Sequence, residues 1–166
     1  MNRQLDRAQR QRASTAPSTR HDSARRQARL LKFLAMQTKD AMTKLILTVS
    51  RKHTLRELEH LFETHDFNGF PVVEEHHLIG IVTKFDFLKN FVFTPSTVFP
   101  HYDDLMKRTV EEIMIKEVCT VHSSTPLTRV LQLMVDTRDK SFPVVDEKNR
   151  LVGIISRRDI VQALNG

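Results

Sequence analysis

The chain has 166 residues, of which 40% are hydrophobic, 28% charged and only four glycine. That composition can build a core, and it excludes collagen-like, glycine-rich flexible and wholly disordered chains. The net charge of +6 is unevenly placed: residues 1–32 carry nine Lys or Arg against Asp6 and Asp22, and the remaining 134 residues carry 17 basic and 18 acidic side chains. Arguments about polyanions therefore belong to the first 32 residues alone.

Residues 1–23 mix Arg, Gln, Ala, Ser and Thr around Pro17 with almost no large apolar side chain. They cannot bury enough surface to offset their ordering entropy, so a disordered basic arm is predicted there. Leu30, Leu31, Phe33 and Leu34 then share one helical face beside Arg25, Arg26, Arg29 and Lys32, which predicts an amphipathic helix over 24–37 that docks on the body. The arm has three open readings: a solvated tail, a contact with nucleic acid or another anionic surface, and an organellar targeting segment. No apolar run is long enough to span a bilayer, and one cysteine, Cys119, cannot form an internal disulfide. The expectation is a cytoplasmic protein without membrane contact, with organellar targeting by the arm not excluded.

From Asp40 onward the chain repeats itself. At an offset of 72 the pairs Met42/Met114, Lys44/Lys116, Thr48/Thr120, Val49/Val121, Leu55/Leu127, Leu61/Leu133 and Phe70-Pro71-Val72-Val73/Phe142-Pro143-Val144-Val145 are identical. After one inserted turn residue, Gly80-Ile81/Gly153-Ile154 and Asp86/Asp159 match at an offset of 73. Each copy predicts a strand (45–49, 117–121), a helix, two strands joined by a polar turn (70–73 with 78–82, 142–145 with 151–155) and a final helix. The first helix opens on a Thr54/Glu57 capping box in one copy and on Thr125 with Pro126 at the first helical position in the other. A β-α-β-β-α unit of this size cannot close its own core, so an α+β fold is expected in which the tandem repeats pack sheet to sheet about a pseudo-twofold axis.

The doubled pattern, with Met and Lys before the first strand, Phe-Pro-Val-Val, Gly-Ile and then Thr83-Lys84-Phe85-Asp86 or Ser156-Arg157-Arg158-Asp159, resembles the cystathionine-β-synthase (CBS) domain pair, or Bateman module, over about residues 38–164. The resemblance implies repeats over 38–90 and 108–165 joined by a linker at 91–107. It also implies a homodimer and a regulatory ligand such as AMP, ADP, ATP or S-adenosylmethionine, bound in clefts between the repeats.

The hydroxyl-x-x-carboxylate runs stand directly after a strand and open a helix, where free N–H groups and the dipole suit a phosphate and a carboxylate can accept bonds from a ribose diol. The same spacing is also an ordinary helix cap, and the two roles are compatible. By resemblance, one cleft joins Ile154, Ser156, Arg157, Arg158 and Asp159 to Leu45, Leu47, Asn68, Gly69 and Phe70. The other joins Ile81, Thr83, Lys84 and Asp86 to Glu117, Cys119, Lys140, Ser141 and Phe142. The first is the preferred site, because two arginines stand at its phosphate end and Leu45 replaces Glu117.

Phe70 and Phe142 fit a core position as well as a ligand wall. Cys119 is expected to be a small buried apolar residue, and His76-His77 lacks metal-ligand spacing. The linker carries Phe91, Phe93, Phe99 and Tyr102 between prolines and is read either as packing on its own module or as a dimer or effector contact. With no nucleophile set, acid–base pair or metal constellation, the expected protein is no enzyme but a stand-alone regulatory pair signalling through its dimer to an unknown effector. Its alternatives are a ligand-free dimerisation scaffold and a nucleic-acid-associated protein acting through the arm.

Overall fold

Residues 19–92 and 101–166 are described in the structure, a computed structural model. The first helix, α1 (Thr19–Ala35), begins earlier than the pattern predicts, so residues 19–23 are helical and not part of a disordered arm. The arm at 1–18 and the linker residues Phe93, Pro95, Phe99 and Pro100 lie outside the described residues. A single helical turn, α2 (Thr38–Ala41), leads into an extended segment and then α3 (Leu55–Thr64). As expected, Thr54 caps α3: its side chain accepts from the Glu57 N–H, and the Glu57 carboxylate accepts from the Thr54 N–H at 2.7 Å.

β1 (Gly69–Glu74) and β2 (His77–Thr83) form an antiparallel pair, followed by α4 (Lys84–Lys89). Two short helices, α5 (Tyr102–Met106) and α6 (Val110–Ile113), open the second half. There β3 (Val121–His122) runs parallel to β4 (Ser141–Val145), which pairs antiparallel with β5 (Leu151–Ser156). Helices α7 (Leu127–Thr137) and α8 (Arg157–Asn165) complete it.

Two further details depart from the expectations. The runs 45–49 and 117–121 are extended but hardly strands: Val49 makes one parallel bridge to Val72, and β3 is two residues long. Within these runs only the last residues, Val49 and Val121, find ladder partners, each parallel to the first strand of the following hairpin. Pro126 is the N-cap of α7 and not its first helical residue, because its ψ of 140° is extended while its carbonyl already accepts from Val130 N–H at 3.2 Å.

The pseudo-twofold relation is written into the backbone. The chain before each repeat pairs with the helix start of the other, Gln37 with Pro126 and Thr109 with Thr54. Further along, Thr43 exchanges both backbone hydrogen bonds with Ile154 at 2.9 Å, and Ile115 does the same with Ile81. Glycine permits these crossings. A Cβ on Gly80 would stand 2.9 Å from the Ile115 carbonyl oxygen, and one on Gly153 would stand 2.6 Å from Met42 Sδ.

Buried side chains form two clusters, one centred on each repeat. The first gathers Val49, Leu55, Leu58, Phe70, Val72 and Val82 with Met106 and Val110. The second gathers Val121, Leu127, Val130, Phe142, Ile155 and Ile160 with Phe33. Each β-α-β-β-α unit is thus closed by apolar residues from the segment that leads into the other, which is how repeats too small for their own core obtain one.

Candidate functional site

The two hydroxyl-x-x-carboxylate runs are built alike because each follows a strand whose last residue has extended φ and ψ and therefore serves as the N-cap. Thr83 Oγ1 accepts from Asp86 N–H at 3.2 Å, and Asp86 Oδ2 accepts from Thr83 N–H at 3.0 Å and from the hydroxyl at 2.5 Å. In the second copy Ser156 Oγ accepts from Asp159 N–H at 3.3 Å, and Asp159 Oδ2 accepts from Ser156 N–H and hydroxyl, both at 2.7 Å. Helix capping is therefore present at both places, and in each copy it engages only one carboxylate oxygen.

The other oxygen separates them. Asp86 Oδ1 accepts from Lys89 Nζ at 2.9 Å, and the Asp86 side chain is only 3% exposed. Asp159 is half-buried, and its Oδ1 has no hydrogen-bond partner among the described residues. A carboxylate oxygen with free lone pairs beside a helix start can still accept a diol; one already bound to an ammonium cannot do so without giving it up.

The cations nearby also differ from expectation. Arg157 is partly engaged elsewhere: its guanidinium donates to the carbonyls of Arg138 at 2.6 Å and Asp139 at 3.0 Å. Arg138 ends α7 in the left-handed region, with φ of 63°, and the carbonyls left over there are what Arg157 satisfies. Arg158 is exposed and makes no ion pair among the described residues. Lys84 lies over the Phe62 ring at 5.8 Å.

The crossing at Thr43 and Ile154 carries the Leu45 segment to the strand that ends at Ser156, and the crossing at Ile115 and Ile81 carries Glu117 and Cys119 to the strand that ends at Thr83. Leu45 is 96% exposed, and Leu47 is also exposed. Cys119 is exposed, which corrects the expectation of a buried residue; it follows from the segment lying outside the sheet. Glu117 is likewise exposed.

Phe70 and Phe142 are core residues, each 1% exposed, and the Phe70 ring packs 5.0 Å from that of Phe62. Only their backbone is left for a cleft. The turns before the prolines are tied within their own repeats, since Asn68 carbonyl accepts from Lys84 N–H at 2.9 Å and Lys140 carbonyl from Arg157 N–H at 3.0 Å. Gly69 and Ser141 pair with Thr83 and Ser156 in the hairpin registers.

Of the linker aromatics, Phe91 and Tyr102 pack on the first repeat. The Phe91 ring stands 5.2 Å from Phe87, and the Tyr102 hydroxyl donates to Glu59 at 3.0 Å. An open depression lined by His122, Ser123, Ser124, Asp146, Glu147, Lys148 and Arg150 contains none of the expected site residues, and its Asp146 and Arg150 pair with each other at 2.6 Å. Lys89 and the cap made by Arg157 are absent from the sequence reading. The three-residue spacing of Asp86 and Lys89 on a helix was a usable signal for the first, whereas nothing local announces the second.

A family model for the CBS domain matches residues 39–92 and 110–166, the same two stretches that the crossings interlock. The chain belongs to the CBS-domain family. This CBS pair is 34% identical over 133 residues to the uncharacterised protein MJ0188 of Methanocaldococcus jannaschii, covering 78% of this chain and 44% of that protein. The CBS domain pair of protein MJ0100, solved with 5'-methylthioadenosine and S-adenosyl-L-methionine, aligns with a TM-score of 0.64 at 30% identity, over 79% of this chain and 97% of that one. The CBS domain of a bacterial CNNM/CorC family Mg2+ transporter in complex with ATP has a TM-score of 0.71 over 87% and 98% of the two chains, but at 20% identity this is a likeness of fold alone. The chain spans 23–44% of the length of the first curated relatives it matches. No helix among the described residues is long and apolar enough to cross a membrane.

Proposed function

We propose that this CBS pair is a regulatory sensor that binds an adenosine-containing ligand in the cleft between Ser156-Arg157-Arg158-Asp159 with Ile154 and the segment Leu45–Leu47, and that the backbone of Asn68, Gly69 and Phe70 borders that cleft. The observation that carries the reading is an Asp159 carboxylate oxygen with no partner among the described residues, on the strand-to-helix turn to which the Thr43–Ile154 crossing leads a segment whose apolar Leu45 serves no core. An adenine needs an apolar wall and its ribose needs a fixed acceptor. A phosphate or sulfonium tail would then run past the N-terminus of α8, where Arg158 supplies the available cation for an anionic one.

The second cleft, with Ile81, Thr83, Lys84 and Asp86 facing Glu117, Cys119, Lys140, Ser141 and Phe142, is the weaker or empty one. Its carboxylate is already engaged, and Glu117 stands where an apolar wall is needed. Binding of 5'-methylthioadenosine and S-adenosyl-L-methionine by the MJ0100 pair, at 30% identity, supports a ligand of the same class. Occupancy would be passed on through a dimer to an effector, and exposed Phe85, Leu88, Val161 and Leu164 on α4 and α8 offer apolar surface for such a contact.

Thermal melting with AMP, ADP, ATP, 5'-methylthioadenosine and S-adenosylmethionine tests the reading. The midpoint should rise with ligand concentration for at least one of them. Asp159→Ala should abolish that rise, and Asp86→Ala should leave it within about a factor of two in affinity. No shift with any ligand up to millimolar concentration would favour a ligand-free scaffold, and equal losses from both variants would contradict the ranking of the clefts.

A further inference from the structure

We propose that the residue one helical turn beyond each carboxylate, Lys89 in the first repeat and Gln162 in the second, decides which cleft accepts a sugar, so that the pair holds one adenosine-containing ligand and not two. The inference rests on the proposed reading of Asp159 as the ribose acceptor.

Its basis is the difference between two otherwise matched helix starts. Asp86 has both oxygens committed, Oδ2 to Thr83 and Oδ1 to Lys89, and is almost fully buried. Lys89 is itself steadied, with Nζ 4.7 Å from the centre of the Phe85 ring. Admitting a diol there means exchanging an ammonium donor for uncharged hydroxyl donors and leaving a buried carboxylate without its cation, which is unfavourable. Position 162 is the counterpart of 89 at the repeat offset of 73. Gln162 carries no charge, is exposed, and its side chain makes no hydrogen bond among the described residues, which leaves Asp159 Oδ1 open. The lysine therefore acts as a built-in occupant of one site, and its absence keeps the other available.

Calorimetric titration of the full chain with 5'-methylthioadenosine and with AMP reads this directly. The first carries the adenosine sugar without a phosphate, so a lysine cannot compensate by attracting an anionic tail. Wild type should take one equivalent. Gln162→Lys, which copies the Asp86–Lys89 spacing, should bind about five- to tenfold more weakly. Gln162→Ala should stay within about twofold of wild type, separating the new cation from the lost amide. Two equal equivalents in wild type, or an unchanged affinity in Gln162→Lys, would overturn the proposal while leaving the ligand reading intact. No binding of either compound by any variant would overturn both. Should Gln162→Lys lose its cooperative melt, Lys89→Gln carries the test: a second equivalent supports the proposal, and a single one overturns it.

Discussion

The helix starts at Thr83 and Ser156 share a spacing, a capping box and a position after a hairpin, yet one carboxylate is closed and the other open. The cap is set by the residues of the motif themselves, because the hydroxyl and carboxylate need only each other and the adjacent N–H groups. Whether the second carboxylate oxygen is taken depends on what lies one turn along the helix, Lys89 in one copy and Gln162 in the other. Under the proposed reading, Lys89 against Gln162 and Glu117 against Leu45 would both favour the Asp159 cleft. Duplicated motifs in a repeat protein are therefore best compared through their neighbours, where the copies have diverged.

Substitutions at matched positions put this contrast to the test. The largest effect is expected at the crossings. Gly80→Ala brings a methyl to 2.9 Å from a backbone carbonyl that cannot turn away, and should lower stability by about 2–3 kcal/mol in denaturant melts. Gly153→Ala meets first the flexible end of Met42 and should cost about 1 kcal/mol. A reversed order would show that the two crossings yield differently from their contacts. Next, Leu45→Glu gives the preferred cleft the second cleft's residue and should weaken ligand binding by about tenfold in titrations, or about 1.4 kcal/mol.

Cap removal comes third. Ser156→Ala should cost about 1 kcal/mol of stability in denaturant melts and also reduce ligand affinity, whereas Thr83→Ala should cost about as much stability with little effect on binding. Loss of affinity in both would mean that both clefts are in use.

The smallest effect is a pH dependence. Backbone N–H groups at Thr54 and Thr109 hold Glu57 and Glu112 below the usual carboxylate range, and the Arg150 side chain holds Asp146 at about 2. Depressed folded values mean that this stability is present above the unfolded carboxylate range near 4 and is lost as pH falls toward 2. Melting midpoints should therefore decline between about pH 4.5 and 2, and Glu57→Gln with Glu112→Gln should flatten the decline without affecting the arm helix or the clefts.

Much of the architecture was legible beforehand. The offset of 72 located both repeats, the Thr54/Glu57 spacing predicted a cap that forms, and the paired runs joined by a polar turn predicted the hairpins. The runs at 45–49 and 117–121 misled because β-branched composition records a fit to a pleated surface and not whether a ladder partner lies alongside. That Arg157 also caps the end of α7 was not visible, because only the fold brings those carbonyls within its reach. Cys119 looked like core for the same reason that its segment looked like a strand.

What the sequence determined alone is whatever depends on near neighbours: the duplication, the capping boxes at Thr54, Thr83 and Ser156, the turn positions, and a charge excess confined to the first 32 residues. Only the tertiary structure decided that each repeat borrows the other's lead-in residues for its core, that Phe70 and Phe142 lie inside, and that Asp86 is closed while Asp159 stays open. Caps and turns close over three or four residues, so their partners are fixed by spacing. Burial and the competition for a carboxylate oxygen depend on which distant groups the fold brings within about 3 Å, and no local spacing encodes that.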